Sequence, residues 1–542
     1  MNSAPPPPAS DPHSALAPLR RPVFRALWGA LIVSSLGSWM HDVGAAWLMT
    51  TLAPEPVMVA LVQAAALLPL FLLTLPAGAM ADLLDRRRYL IVIQSWLMLV
   101  AGTLGIMTLL GATTAWLLLV FTFAMGIGAA LMMPAFSALI PALVPRHELM
   151  AAVTLNSMAF NATRALGPAI AGGIVALAGP GVVFVINALS FTAVIWVLSR
   201  WRSHQPASSL PGERFSAAMR TGLRYVRQSE ALRVILLRGV ALFISMSAPL
   251  AFLPLVVRTG LDAGAETYGL LLGCVGVGAV ITGTQLPRLR KYLSSDALIF
   301  AGTLGVVLAS LALAWLRAVP LLALAMLLLG ASWISAQSTL QVITQLSLPD
   351  WVRARGLAIF IATFMGVMAI GAPAWGWLAS ATSIEVALTS AAALGTIGLL
   401  LTRHLNLERF AHGDPSPAEP LPEPRLPMPV AGERGPVLVN IEYQIDPSEA
   451  ADFISAMQQV RQVRLRNGST AWGIFQDTRN ASRFVEFFLD ESWTAHLRQH
   501  YRVSRDDRRS IDIASAFHRG SSPPVISHLL GPADRGSEFI RE

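Results

Sequence analysis

The chain has 542 residues, 54% of them hydrophobic and only 13% charged, with a mean hydropathy of +0.57. A soluble domain carries about 25% charged residues, so the composition puts most of this chain in lipid and excludes a wholly soluble enzyme. The net charge of +8 rests on basic residues clustered at the ends of apolar runs, where membrane orientation accounts for them without a nucleic-acid partner.

Residues 1–19, with consecutive prolines at Pro5 to Pro8, read as a disordered tail. Arg20, Arg21 and Arg25 then precede the apolar run Ala26 to Leu52. That run is longer than a signal-peptide core and more spans follow it, so it reads as a retained helix. About 20 apolar residues are enough to cross a hydrocarbon core. Such runs follow at 56–80, 89–110, 114–143, 150–178, 181–200, 234–257, 265–286, 296–316, 320–345, 355–380 and 384–402, giving about twelve helices. Basic residues fall in alternate loops, at Arg86 to Arg88, Arg146, 200–233, Arg288 to Lys291, Arg353 with Arg355, and Arg403 with Arg409. The opposite loops offer only Arg258 and Arg317, an alternation that places both termini in the cytoplasm. Cys274, the single cysteine, excludes an intrachain disulfide, a thiolate zinc site and a Cys-x-x-Cys redox pair.

The chain repeats itself at an offset of 204 positions. Pro145 opens a segment that reaches Gly167, Pro168 and Gly172; Pro349 opens another that reaches Gly371, Pro373 and Gly376. The expected organisation is two six-helix halves, 20–203 and 233–403, joined by a cytoplasmic linker at 204–232. Glycines also crowd the fourth and eighth spans, at Gly126, Gly128, Gly269, Gly273, Gly276 and Gly278. Small residues there let helix backbones approach closely.

Between the second and third spans lies a short charged turn from Gly78 to Arg88, carrying Asp82, Asp85, Arg86, Arg87 and Arg88. Gly78 would let the second helix approach a neighbour, and Asp82 with Arg86, one helical turn apart, would form a conformation-dependent pair. The spacing Gly-x3-Asp-x3-Arg-Arg resembles the signature loop of the major facilitator superfamily. The form Ala-Asp-x-x-Asp-Arg-Arg-Arg is similar to the branch containing enterobactin exporters and transmembrane secretion effectors. Where that superfamily often has Arg after the Asp and Gly two positions further on, this chain has Leu83 and Asp85. The resemblance implies that the turn latches the two halves on the cytoplasmic side, as part of a gate.

Residues 404–435 read as a stiff, exposed linker, with seven prolines between Pro415 and Pro429. Beyond it, 436–531 reads as a soluble α+β domain, followed by a tail at 532–542. Val437, Val439, Ile441, Tyr443 and Ile445 alternate with polar neighbours as a half-buried strand. Asp446 and Pro447 start a helix carrying Phe453, Met457 and Val460. Strands at 470–477 and 483–489, helical stretches to 517 and a strand at 524–530 complete β-α-β-β-α-β, a ferredoxin-like order. The domain resembles the antibiotic-biosynthesis-monooxygenase type of dimeric α+β barrel, which also ends the secretion-effector branch. Its polar and aromatic candidates are Trp472, Trp493, His496, His500, Arg464 and Arg466, read as packing and dimerisation residues.

Ionisable residues inside membrane spans are functional candidates. Asp42 lies 17 residues past Arg25, about 25 Å along a helix, and Arg164 lies 18 past Arg146, about 27 Å along another. Both helices run outward, so the two side chains reach similar depth and are expected to pair or to share a wet cavity. A switching pair and a static structural pair both fit that geometry. His41 faces about 100° away from Asp42, and Arg238, near a span end, is expected to snorkel. Asn161 precedes Arg164 by one turn. Gln337, Gln341 and Gln345 form one polar stripe on the tenth span, which by the superfamily resemblance faces the central cavity.

No Walker-type phosphate loop occurs in the sequence, so an ion gradient, most simply protons, would drive transport. The expected function is a proton-coupled secondary exporter of a small amphipathic molecule such as a siderophore or drug, in a bacterial inner membrane. The bilayer, a small-molecule substrate and protons are its partners, with a homodimer through the C-terminal domain. No cofactor, metal or nucleic acid is implied. The competing reading is a membrane-tethered monooxygenase-like enzyme or scaffold anchored by the bundle.

Overall fold

The computed structural model describes residues 16–201, 215–411, 414, 416, 418–419 and 434–532. The first half holds α1 (Pro22–Leu52), α2 (Pro56–Leu83), α3 (Arg86–Leu109), α4 (Ala115–Leu143), α5 (Leu149–Ala178) and α6 (Pro180–Arg200). After α7 (Phe215–Gln228) the second half holds α8 (Glu230–Leu255), α9 (Ala265–Leu289), α10 (Ser295–Trp315), α11 (Val319–Leu346), α12 (Asp350–Ala381) and α13 (Ile384–Thr402). Among the described residues, eleven helices are long and apolar enough to cross a membrane. α5 is 30 residues long but is not one of them. Asn156, Ser157, Asn161, Thr163 and Arg164 dilute its apolar character, and it packs on both α1 and α9.

Local chemistry sets the helix starts. Proline occupies the first turn of α1, α2 and α6, where a missing N–H costs nothing. Asp85, Thr114, Ser294 and Ser383 cap α3, α4, α10 and α13 by accepting from a backbone N–H three residues on. Within the first half α3 packs on α6, α2 on α4, and α1 on both α5 and α6. Leu90, Leu97, Ala101, Leu139, Phe191 and Leu198 form its buried core.

The described residues fall into two compact units. The first lies within Met1–Ser209, Arg238–Thr339 and Ile361–His404; the second within Leu210–Leu237, Leu340–Phe360 and Leu405–Glu542. In the second unit an antiparallel sheet of β1 (Val437–Gln444), β2 (Ala471–Gln476), β3 (Arg483–Asp490) and β4 (Val525–Leu530) has the order β2-β3-β1-β4. After α14 (Glu408–Ala411), the helices are α15 (Ala450–Asn467), α16 (Trp493–Arg502) and α17 (Arg505–Ser515). Alternate β1 residues Val437, Val439, Ile441 and Tyr443 are buried with Phe453, Met457, Val460, Phe484 and Phe488. Gly468 ends α15 at φ +134, a backbone that glycine alone adopts cheaply.

Several segments differ from the sequence reading. Residues 1–15 lie outside the described residues, but the end of the same tail enters a 3-10 turn, Ala17–Arg20, with Ala17 and Pro18 buried. Leu19 is drawn in by an apolar cluster of Phe24, Val144, Ala152 and Leu155. The linker 204–232 contains α7, whose Tyr225 and Val226 are buried. Arg224 of α7 donates to the Gly468 carbonyl at 2.7 Å and to Glu491 at 3.0 Å. Trp351 lies edge-on to Tyr225 at 5.5 Å and beneath the Arg502 guanidinium at 4.4 Å. The seven prolines of 404–435 lie outside the described residues. Their neighbours Ser416 and Ala418 are half-buried, sharing backbone hydrogen bonds with Arg505 and Val503.

Candidate functional site

Arg164 is held by aromatic faces. Its guanidinium carbon lies 3.9 Å from the ring centroid of Trp333 on α11 and 5.7 Å from that of Trp39 on α1. Trp39 is edge-on to Phe160 at 6.0 Å, Trp333 is edge-on to Phe364 at 6.4 Å, and the Trp333 indole N–H donates to Gln337. Nη2 of Arg164 is buried with no hydrogen-bond partner. A cation–π contact contributes about 0.5–2 kcal/mol. A charge at a helix centre costs at least about 2.5–3.5 kcal/mol, so the rings offset the cost only in part. Nη2 keeps an unused hydrogen-bond donor.

Of the two arrangements expected for Asp42 and Arg164, an ion pair or a shared wet cavity, the ion pair does not form. Among the described residues Asp42 has no ion-pair partner, its side chain is exposed, and it lies within electrostatic reach of Tyr268 on α9. The reason is local: Trp39, one turn before Asp42 on the same face of α1, takes the guanidinium first. His41 points elsewhere, buried against Phe184 at 4.6 Å. Asn161 bonds its own helix, donating to the Ser157 carbonyl at 2.8 Å. Gln337 meets Trp333, whereas Gln341 and Gln345 follow further along α11.

Glycines set how closely the helices around Arg164 pack. Pro168 has no N–H to offer the Arg164 carbonyl one turn earlier. There α9 comes close, a Cβ on Gly276 falling 2.9 Å from that oxygen. Gly167 lies against Trp39, where a Cβ would be 2.7 Å from its side chain, and Gly172 lies against Gly269. At the repeat positions Gly371 lies against Ser247 of α8 and Gly376 against Val57 of α2, with Pro373 between them in α12. Each half thus uses its first glycine to pack on its own first helix. The second glycine packs on the other half.

These inter-half contacts gather where α1 ends and α2 begins, against the end of α8 and the start of α9. Arg258 donates to Thr50 at 3.0 Å and to Thr51, and lies 5.5 Å from the ring of Trp47. Trp47 stacks on Tyr268 at 5.9 Å, and the Val57 amide donates to Ser380 at 3.2 Å.

At the charged turn, Arg87 donates to the carbonyls of Leu198 at 2.7 Å and Ser199, fastening α3 to the end of α6. Asp85 accepts from the Arg88 amide at 2.8 Å as the cap of α3. The side chain of Asp82 lies outside the described residues, so its expected pair with Arg86 does too. Gly78 does not mark a close approach, since a Cβ there would meet nothing within 4 Å. Arg238 does not snorkel either: it is only 6% exposed, its guanidinium bonded to Asp296 and to the Thr402 carbonyl. The first turn of α10 and the end of α13 offer it better partners than water does.

In the C-terminal domain the polar candidates are internal. Glu486 accepts from Arg464 and Trp472 at 3.0 Å and from Tyr443 at 3.1 Å. Burial and then the Glu486 charge push the Tyr443 phenol well above its ordinary value. Arg466 pairs with Asp507. Asp490 binds His496 at 2.9 Å and accepts from Gln499 at 2.6 Å. Trp493 packs beside His496, and His500 and His528 face the same ring. Burial, and then His496 and His500, lower His528 to about 4. Among the described residues no group of three or more His, Cys, Asp or Glu is arranged to hold a metal ion.

Sequence reasoning missed Trp39, Trp333, Trp47, Tyr268 and Arg258. Trp333 was within reach: it stands four residues before Gln337 and extends the Gln337–Gln341–Gln345 stripe by one turn.

Comparison with known proteins shows the family. The chain is 25% identical over 336 residues to the staphyloferrin A transporter of Staphylococcus aureus (strain NCTC 8325 / PS 47), covering 60% of this chain and 82% of that one. It is 24% identical over 349 residues to the MFS-type transporter YfiS of Bacillus subtilis (strain 168), covering 61% and 82%. In fold it is similar to the nucleoside transporter NupG, a D323A mutant, at TM-score 0.60 and 11% identity, covering 70% of this chain and 99% of that one. A bacterial homologue of the iron transporter ferroportin in an inward-facing state gives TM-score 0.53 and 18% identity, covering 70% and 98%. The family described as transmembrane secretion effector matches residues 13–536, and this chain, a multi-pass transporter of the MFS type, belongs to it.

Proposed function

We propose that this transporter exports a small amphipathic anion, such as a siderophore or an acidic drug, across a bacterial inner membrane by alternating access, with both termini cytoplasmic. The observation that carries the reading is Arg164: a half-buried side chain whose guanidinium lies between two tryptophans, one from each half, with Nη2 buried and unpartnered. An anion with an apolar or aromatic body suits that setting, its charge meeting Nη2 and its body the rings. The contacts around Tyr268, Arg258 and the two glycine seams join the far ends of the halves, as one state of a rocking bundle requires. Asp42 is the proton carrier in this scheme. It lies about 4.5 Å further along α1 than Trp39, unpaired and accessible, so its protonation state changes the field in which the anion binds. The turn around Asp82 and Arg86 is the gate on the side of the termini. The relative from Staphylococcus aureus that carries a siderophore's name supports the substrate class.

The C-terminal domain serves this reading as a monooxygenase-like fold that pairs two chains. Its open sheet face presents Leu438, Phe475, Phe487, Leu489, Val525 and Leu529. Phe475, 64% exposed, stacks on Phe487 at 5.6 Å. Phe475→Glu is expected to convert a dimer to monomer without loss of folding.

Uptake of a labelled panel of anionic, neutral and cationic amphiphiles into inverted vesicles, with and without a proton gradient, tests the main reading. Gradient-dependent accumulation restricted to anions supports it. Accumulation of cations alone, or indifference to the gradient, overturns it.

A further inference from the structure

Two helix ends meet beside Arg238 of α8. The guanidinium donates from Nε at 3.3 Å and Nη2 at 2.8 Å to the Thr402 carbonyl at the end of α13, and from Nη1 to Asp296 in the first turn of α10. The carboxylate and the negative end of the α13 dipole together balance this buried cation. Next to it opens a cavity of about 340 Å³, bounded by Ala241, Ile299, Thr303 and Leu399, with Phe300 and Arg403 also on its lining. Because Asp296 is matched by Arg238, the charge of Arg403 is left over. Among the described residues its guanidinium makes one hydrogen bond, from Nε to His404 at 3.2 Å, and no ion pair.

The cavity continues into an apolar surface. Phe300 is 47% exposed, and Leu304 and Leu308 follow it at four-residue spacing along one face of α10. Ile397, Leu400 and Leu401 are exposed on the adjoining α13. In membrane-spanning helices, exposed apolar stripes of this kind face acyl chains. A site that is cationic at the helix ends and apolar below them matches one class of ligand.

We propose that this cavity between α8, α10 and α13 is a binding site for an anionic phospholipid of the leaflet on the side of the chain termini. Arg403 takes the phosphate with its two Nη groups, as a guanidinium fork suits. One acyl chain runs along Phe300, Leu304 and Leu308. Basic pockets between membrane helices select anionic headgroups in this way. A bound lipid then spans α10 and α13 beside the Arg238 staple and holds these two helices together. The site uses none of the residues around Arg164, so it stands or falls independently of the transport reading.

The test uses the purified full chain in detergent, with the melting temperature read against added phosphatidylglycerol, phosphatidylcholine or inorganic phosphate. Phosphatidylglycerol is expected to raise the melting temperature saturably, phosphatidylcholine to raise it less, and inorganic phosphate to leave it unchanged. Arg403→Glu should weaken the apparent phosphatidylglycerol affinity about tenfold or more, and Arg403→Lys should recover most of it. Both substitutions sit at the rim and leave the Arg238 contacts in place. Equal shifts from the two lipids, or undiminished phosphatidylglycerol affinity in Arg403→Glu, overturn the proposal. A full shift from inorganic phosphate alone also overturns it, by reducing the site to a free-anion site.

Discussion

Gly172 of α5 lies on Gly269 of α9 so closely that a Cβ at Gly172 would stand 2.9 Å from the Gly269 Cα and 2.6 Å from the Ala265 carbonyl. Two backbones, one from each half, touch there with no side chain between them. The repeat makes the same contact again at Gly376, where a Cβ would fall 2.8 Å from the Val57 Cα. In lipid nothing drives helices together by excluding water, so close packing between small residues carries much of the adhesion.

Gly172→Val is therefore expected to destabilise the bundle by about 1–3 kcal/mol, as overpacking does, and to open the end where Arg258 meets Thr50. Gly376→Val should do the same at the other seam. Gly78→Ala, in open space, should melt like the parent. Thermal unfolding in detergent, with cysteine labelling at position 268 to report access, measures both effects. A Gly172→Val protein of unchanged stability and labelling would remove the seam from the account.

The buried pair in the C-terminal domain gives a second expectation. Arg464 and Glu486 are both nearly inaccessible, and Trp472 and Tyr443 also donate to Glu486. Glu486→Leu leaves the guanidinium unpaired and should cost about 3–5 kcal/mol. The double substitution Arg464→Met with Glu486→Leu should recover much of that loss, because neither charge then needs a partner. Hydrogen exchange of β1 and β3 peptides in the full chain reads the difference. Equal protection in the single and double variants would show that the pair is not coupled.

Much of this fold was legible because its signals are one-dimensional. Apolar runs and the β1 alternation each report burial along the chain, and burial is what built the helices and the sheet. The partner of Arg164 was not legible. Depth along a helix predicted that Asp42 would reach it, yet Trp39, one turn earlier on the same face, lies between in the order of contact. Arg238 misled for a related reason: position near a span end suggested water, while Asp296 and Thr402, 58 and 164 residues away, supply a dry partner set. Rotation about the helix axis and distant partners decide such sites, and hydropathy records neither.

The histidines of the C-terminal domain predict a pH dependence. His528 is held down to about 4 by burial and by His496 and His500, with Asp490 opposing them. The unfolded chain binds its proton near 6.5, so the stability tied to the neutral ring is present above that value. It is lost as pH falls from about 6.5 towards 4. Protection of the β4 and β1 amides, taken relative to the intrinsic exchange rate at each pH, should fall across that window, and His528→Phe should flatten the dependence. Protection that holds constant from pH 7 to pH 4 would show that the ring is solvated.

The central claim is that Arg164, clasped by Trp39 and Trp333, anchors an anionic substrate while Asp42 carries the proton. The most direct measurement is gradient-driven flux of one accumulated anion in inverted vesicles, for the parent, Arg164→Ala, Arg164→Lys and Asp42→Asn, at matched levels of inserted protein. Arg164→Ala is expected to abolish flux and Arg164→Lys to retain a fraction of it. Asp42→Asn should keep downhill exchange while losing accumulation against the gradient. Parental flux in Arg164→Ala, or full gradient-driven accumulation in Asp42→Asn, would contradict the account.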